Sequence, residues 1–340
     1  MGIQLRSRWY NGLGREEDDF QGICTTYQSI AANPEVYSAQ CLWKDTLVIC
    51  DEIHHVADDP QGRWGSALRT AFYARTRGIY LSATPFRTDG APIPFLRYNG
   101  EQVCIPNFVY GYRDALADRA IRRVAFAQIE GDLRWLGPHG LHQAIFADPI
   151  PSEEDMRRLA TALDLRGDWL PAVLAEANER LSQIRHTVQA DAGGLVVARD
   201  IAHARGIAEL LRTITGQEAV VVTSDSRDAE QHISAFDHGR ERHRRWIVAV
   251  RMISEGVDIR RLYVGVWATD ILNSRLFFLQ ILGRFLRVTR DTPVPWAKQL
   301  AWLYIPAVKQ EPGCASVRLG RCAVGRTGLS DGALGIARLA

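Results

Sequence analysis

Lysine is nearly missing from this chain of 340 residues: it stands only at positions 44, 298 and 309, and every other basic side chain is arginine. Net charge is +2, so no overall positive field announces a polyanionic partner, and any nucleic-acid site has to be local. Arginine is the better fork for phosphate and carboxylate, but so general a bias points to coding composition before function. Cysteine is scarce as well. The six present (Cys24, Cys41, Cys50, Cys104, Cys314 and Cys322) form no CxxC pair and no zinc-like spacing. That argues against a disulfide framework and for a reducing, cytoplasmic setting. No apolar stretch approaches a membrane span, and none follows Arg6 and Arg8 as a leader would require. A membrane is therefore not an expected partner. His139 and His142 have no Cys or carboxylate pattern around them and read as loop residues.

What is present describes a soluble globular protein: 46% hydrophobic and 24% charged residues, and enough length for two domains. Short β-branched runs alternate with helical patterns, which predicts parallel α/β layers. "TLVIC" (46–50) and "GIYLSAT" (78–84) read as strands around a crossover helix over 65–75. "RRVAFAQIE" reads as a strand, "SEEDMRRLATAL" as a helix with Ser152 as its N-cap, and 168–189 as a longer amphipathic helix. A second strand–helix series opens at "GGLVVARD" (193–200) and runs to "LAWLYIPA". The expected organisation is a first α/β lobe over 1–110, a mostly helical connector over 111–190, a second α/β lobe over 191–308, and a poorly ordered tail over 309–340.

Four short strings carry chemistry. "DEIH" (51–54) closes an apolar strand with two adjacent carboxylates. In a nucleotide-hydrolysing site, Asp51 would hold Mg²⁺ and Glu52 would orient and deprotonate water; the bland alternative is a strand running into a polar loop. "SAT" (82–84) ends the next strand, and neighbouring strand ends of a parallel sheet share the carboxyl edge where ligands bind. Ser82 and Thr84 can therefore reach toward His54. "ISEGVDI" (253–259) follows the strand "WIVAV". "QILGRFLR" (280–287) ends a helix whose Gln280, Arg284 and Arg287 lie at i, i+4 and i+7, which predicts one shared face. Gly283 thins that helix for close approach, and arginines there would neutralise charge on a transferred phosphoryl group.

In this order, "TTYQS" (25–29), "DEIH", "SAT", "SEGVD" and "QILGRFLR" resemble the motifs of superfamily 2 helicases and translocases of the DEAD/DEAH type. Within that superfamily the likeness is to the DExH group that includes restriction-enzyme motor subunits. It covers residues from about 20 to 305. The resemblance implies two RecA-like parallel-sheet lobes that hydrolyse ATP with Mg²⁺ between them and act on single-stranded nucleic acid through its phosphate backbone, with DNA the first expectation. It implies that Asp51 and Glu52 are the Walker B pair with His54 beside them. Ser82, Ala83 and Thr84 would couple nucleotide state to nucleic-acid grip, and Glu255, Gly256 and Asp258 would sense both ligands. Arg284 and Arg287 would be arginine fingers, with Gln280 alongside. Thr26, Tyr27 and Gln28, and in the second lobe Arg199 and Thr223, would contact nucleic acid.

One departure weighs against catalysis. The family uses a Gly-rich loop ending in Gly-Lys-Ser/Thr, whose amides and lysine cradle the phosphates. Here the only stretch before "TTYQS" with more than one glycine is "NGLGREEDDF" (11–20), with four consecutive acids, and no Lys stands before position 44. The expectation is a first lobe that is incomplete, with the loop lost or supplied by a missing N-terminal segment or partner subunit. The alternative function is a non-enzymatic remnant that binds nucleic acid only.

Overall fold

The computed structural model describes residues 3–6, 21–43, 45–57, 63–73, 77–87, 89–138, 140–223, 225, 228–250, 259–270, 274–288 and 294–307. The chain divides into two compact units, Met1–Val109 and Tyr110–Ala340. The tail expected over 309–340 lies outside the described residues, as do Glu255, Gly256, Asp258 and His139.

The first unit contains β1 (Leu5–Arg6), β2 (Gly22–Ile23), α1 (Tyr27–Ala32), α2 (Pro34–Trp43), β3 (Leu47–Cys50), α3 (Arg63–Phe72) and β4 (Arg77–Tyr80). Thr26 caps α1 by accepting a bond from the Ser29 amide at 3.2 Å. β3 and β4 pair in parallel, from Leu47↔Arg77 to Cys50↔Tyr80. Because side chains alternate along a strand, Val48 and Cys50 point into a core with Ile30, Tyr37, Cys41, Leu68 and Phe72. The opposite face carries Leu47, Ile49, Ile79 and Leu81, which are 52%, 58%, 43% and 47% exposed.

The second unit begins with α4 (Tyr112–Ala117) and β5 (Arg123–Ile129), followed by β6 (Asp132–Gly137) and β7 (Gly140–Ile145). Next come α5 (Ser152–Ala162), α6 (Trp169–Thr187), β8 (Gly193–Ala198), α7 (Ile201–Thr215) and β9 (Val220–Val222). Last come α8 (Ala229–Asp237), β10 (Trp246–Ala249), β11 (Leu262–Ala268), α9 (Arg275–Phe285) and β12 (Leu300–Pro306). Six strands form one parallel sheet in the order β5-β12-β11-β8-β10-β9. The near-continuous apolar sequence of β8, β10 and β11 is what a sheet buried on both faces requires.

One face of that sheet packs Val196, Val248 and Val266 under α6 and α7 through Leu174, Leu181, Ile207 and Leu211. The other packs Leu195, Val197, Ile247 and Trp267 under α8 and α9 through Ile233, Phe236, Ile281 and Phe285. Gly194 is needed on the first face, since a Cβ there would lie 2.3 Å from the Trp246 ring. These elements give the parallel α/β architecture that the strand–helix alternation predicts.

Three local expectations are corrected. Ser152 is the first residue of α5, and Pro151 takes the cap position with no side-chain bond; the three acids of the first turn support the helix start instead. His142 belongs to β7 rather than a loop, and its ring stacks on Trp135 across the β6–β7 hairpin at 5.6 Å. Helix does outweigh strand over 111–190, but β5 from that stretch is an edge strand of the large sheet.

Candidate functional site

The site in the first unit is built where two parallel strands end together. The ladder continues one step past β3 and β4: the Leu81 amide donates to the Cys50 carbonyl at 2.9 Å, and the Ile53 amide donates to the Leu81 carbonyl at 3.0 Å. That crossed pair brings "DEIH" alongside "SAT". Glu52 then adopts φ 47°, ψ 46°, a left-handed conformation that costs a non-glycine residue of order 1 kcal/mol or more. It turns the chain off the strand into a single 3₁₀ turn over Ile53–His55.

The turn places His54 in the interior and leaves both carboxylates exposed. His54 Nδ1 lies 2.9 Å from Ser82 Oγ and 3.2 Å from Glu52 Oε2. Ser82 Oγ also accepts a bond from the Thr84 amide at 3.0 Å. Asp51 Oδ1 accepts from the Glu52 amide at 3.0 Å. Glu52, His54, Ser82 and Thr84 thus form one connected chain between the two strand ends. The Thr84 hydroxyl does not join it: it is buried, with no hydrogen-bond partner among the described residues. Ala83 is exposed.

Asp51 and Glu52 are exposed carboxylates, the donor type from which Mg²⁺ takes one or two ligands while keeping several waters and taking the rest from substrate phosphates. Among the described residues no group of three His, Cys, Asp or Glu gathers to hold a metal without such a ligand.

Two contacts were not legible in the motifs. Tyr27 donates its hydroxyl to the Asp51 carbonyl at 2.5 Å and stacks on Trp64 at 6.5 Å. Burial, with Cys50, Asp51 and Glu52 nearby, raises the Tyr27 phenol above its ordinary pKa, so it stays a donor. Arg87 donates to the His54 carbonyl at 3.0 Å and is itself held by Asp89, Nε to Oδ1 at 3.0 Å and Nη2 to Oδ2 at 2.5 Å. That pairing lowers the Asp89 pKa. Thr26 serves α1 as its cap, while Gln28 is exposed.

In the second unit, Gln280 and Arg284 lie on α9 and are partly buried. Arg287 does not share their helix. α9 ends at Phe285, and Arg287 pairs with Ile121 in an antiparallel bridge. The helical-face expectation therefore holds for two of the three. Past the helix end, the Arg122 amide donates to the Leu286 carbonyl at 2.9 Å, and the Arg122 side chain bonds the Arg287 carbonyl. Gly283 meets nothing within 4 Å of a would-be Cβ among the described contacts.

Arg199, at the carboxyl end of β8, is partly exposed and held by Asp200, Nε to Oδ2 at 3.2 Å; its amide donates to His203 Nδ1 at 3.3 Å. Thr223 is 5% exposed. Of this pair, Arg199 is the more open to solvent. A cavity of about 330 Å³ opens beside it, lined by Asp164, Leu165, Arg199, Asp200 and His203 among others.

No protein-family profile matches the chain. It is 39% identical over 312 residues to the uncharacterized protein Rv2917 of Mycobacterium tuberculosis, covering 90% of this chain and 50% of that protein. An uncharacterized protein of Mycobacterium leprae is 39% identical over 291 residues, 84% of this chain and 48% of the relative. The chain spans about half the length of these curated relatives. Among solved structures, a fragment of a proposed HsdR subunit of a type I restriction enzyme from Vibrio vulnificus superposes with a TM-score of 0.55 at 18% identity. The match covers 92% of this chain and 54% of that one. That likeness is one of fold. No helix among the described residues is long and apolar enough to cross a membrane.

Proposed function

We propose that the chain is the Walker B-bearing portion of an ATP-dependent nucleic-acid helicase or translocase. The observation that carries this reading is the bonded chain from Glu52 through His54 and Ser82 to Thr84, which ties an exposed carboxylate to the neighbouring strand end. A group that activates water beside a phosphate needs a fixed orientation, and His54 supplies it to Glu52. In this reading Asp51 would hold Mg²⁺, and Glu52 would orient and deprotonate the attacking water. When bound, Mg²⁺ would supply charge neutralisation at the phosphates. Arg284 and Arg287 serve as groups that offset phosphoryl charge, and Glu255, Gly256 and Asp258 belong to the sensing motif. Thr26, Tyr27 and Gln28 in the first unit, and Arg199 in the second, would each contact single-stranded nucleic acid. The likeness of fold to a restriction-enzyme subunit makes DNA the first substrate to test.

A second reading, binding without hydrolysis, is favoured by one observation. No Gly-Lys pair occurs anywhere in the 340 residues, so the chain lacks the usual source of positive field on the β- and γ-phosphates. The experiment that tests both readings measures ATP hydrolysis with and without single-stranded DNA. The 340-residue chain is expected to show no stimulated hydrolysis above background. Supplied with an upstream Gly-Lys-Thr/Ser loop it gains activity, and Glu52→Gln removes that gain, a loss of about 10²–10⁴. Failure of the loop-bearing form to hydrolyse ATP leaves the binding reading, whose mark is DNA affinity that falls as salt rises. Hydrolysis by the 340-residue chain, stopped by Glu52→Gln, means that another group holds the phosphates.

A further inference from the structure

Arg122 is fully buried just before β5, yet its charge ends on main-chain oxygens. Nε donates to the Arg287 carbonyl, Nη1 to Leu262 at 3.2 Å and Nη2 to Arg260 at 2.9 Å. The guanidinium lies 3.9 Å over the Tyr263 ring, and the Arg122 amide donates to the Leu286 carbonyl at 2.9 Å. Arg260 and Leu262 lie two and four residues past the "SEGVD" stretch, and Leu286 and Arg287 end "QILGRFLR". One side chain thus bonds residues that follow one motif and the last residue of the other. A lysine cannot do this: it is a compact point charge without the planar fork.

We propose that Arg122 is a positioning residue that fixes Arg287 and the Arg260–Leu262 segment as one body. Arg287 lies past the end of α9, where its carbonyl is bonded by Arg122 and its backbone is bridged to Ile121. The functional meaning of that placement rests on the reading of Arg287 given above; the placement itself does not.

The protein contains its own control. Arg261 is buried to a similar degree, donates to the carbonyls of Phe236 at 2.6 Å and Arg244 at 2.7 Å, and lies 4.3 Å over Phe236. Burial depresses both guanidinium pKa values to about 10, so both are charged at neutral pH. The two arginines have the same chemistry and differ in what they hold.

The test compares Arg122→Lys with Arg261→Lys in the 340-residue chain by amide hydrogen exchange and by the side-chain Nε NMR resonance of Arg287. Arg122→Lys is expected to speed exchange at 283–287 by about tenfold or more and to shift the Arg287 resonance. Arg261→Lys releases the same segment from the Phe236 and Arg244 carbonyls but leaves the three Arg122 bonds in place, so it should speed exchange at 283–287 by less than about twofold and leave the Arg287 resonance unshifted. Equal effects from the two variants, or none at 283–287 from Arg122→Lys, overturn the proposal. If Arg122→Lys does not fold, Tyr263→Leu loosens the same clasp and carries the same expectation and the same refutation. Neither readout involves nucleotide. If Arg287→Lys left ATP hydrolysis of the loop-bearing form unchanged, that would refute the role of Arg287, and exchange would still decide its positioning.

Discussion

Both main sheets of this chain are parallel, yet they are covered very differently. The six-stranded sheet of the second unit is packed by helices on each face, with Leu195, Val196, Val197 and Val248 at most 2% exposed. The β3–β4 pair of the first unit buries Val48 and Cys50 and leaves Leu47, Ile49, Ile79 and Leu81 open. Parallel strands occur almost only with both faces covered, and two strands alone are marginal in water. The comparison teaches that the proposed catalytic carboxylates stand on the less supported of the two scaffolds. What holds them is local: the left-handed turn at Glu52, the His54–Ser82 contact, and Tyr27 and Arg87 bonded to the carbonyls of residues 51 and 54.

The largest effect that sharpens this comparison is a pair of truncations read by chemical denaturation. Leu195→Ala, at the centre of the covered sheet, is expected to cost about 2–5 kcal/mol. Ile49→Ala, on the open face, is expected to change stability by no more than about 0.5 kcal/mol. A cost above about 2 kcal/mol at Ile49 would mean that the face is covered in solution, and the contrast between the sheets would be gone.

An intermediate effect concerns pH and belongs to the second unit. His203 is buried, accepts from the Arg199 amide and contacts the Leu163 carbonyl at 2.9 Å. Burial is the main cause that holds its pKa below the ordinary 6.5, and Arg199 adds to it. The sign follows from linkage. As pH falls through 6.5 the unfolded chain takes up a proton that native His203 resists, so stability is lost toward acid. Its slope is at most about 1.4 kcal/mol per pH unit for one group. Denaturation midpoints between pH 7.5 and 5.5 should show this loss, and His203→Gln should remove its share of it. An unchanged pH slope in that variant would assign the acid sensitivity elsewhere.

The smallest expected effect is at Gly283. It sits in α9 with open space at its Cβ position, so Gly283→Ala should stabilise by about 0.4–1 kcal/mol. Loss of DNA-stimulated hydrolysis in the loop-bearing form, despite that gain, would restore the close-approach role read from the sequence.

The strand–helix order of both units was legible because β-branched runs and amphipathic stretches are local signals, and β8, β10 and β11 are nearly unbroken. The pairing of His54 with Ser82 was legible as well, since adjacent parallel strands bring their ends together. Thr84 was only half readable: its amide reaches Ser82, but which way its hydroxyl points is set by packing. The end of α9 was not readable. Helical spacing carries through "QILGRFLR", while the contacts that Leu286 and Arg287 make past the helix end come from Arg122, 165 residues from Arg287 in sequence. The stack of His142 on Trp135 depends likewise on hairpin register, and neither residue announces it.

The strand order of the large sheet also has a consequence in time. β5 is synthesised near the start of the second unit, but its neighbour β12 is the last strand of the sheet to be made. At about 5–20 residues per second, the 165 residues between Arg122 and Arg287 take on the order of ten to thirty seconds to emerge. Through that interval β5 has no strand beside it and the Arg122 guanidinium has no clasp to close. The arginine lock and the sheet edge are both completed late, the lock once Arg287 has been delivered and the edge once β12 follows it.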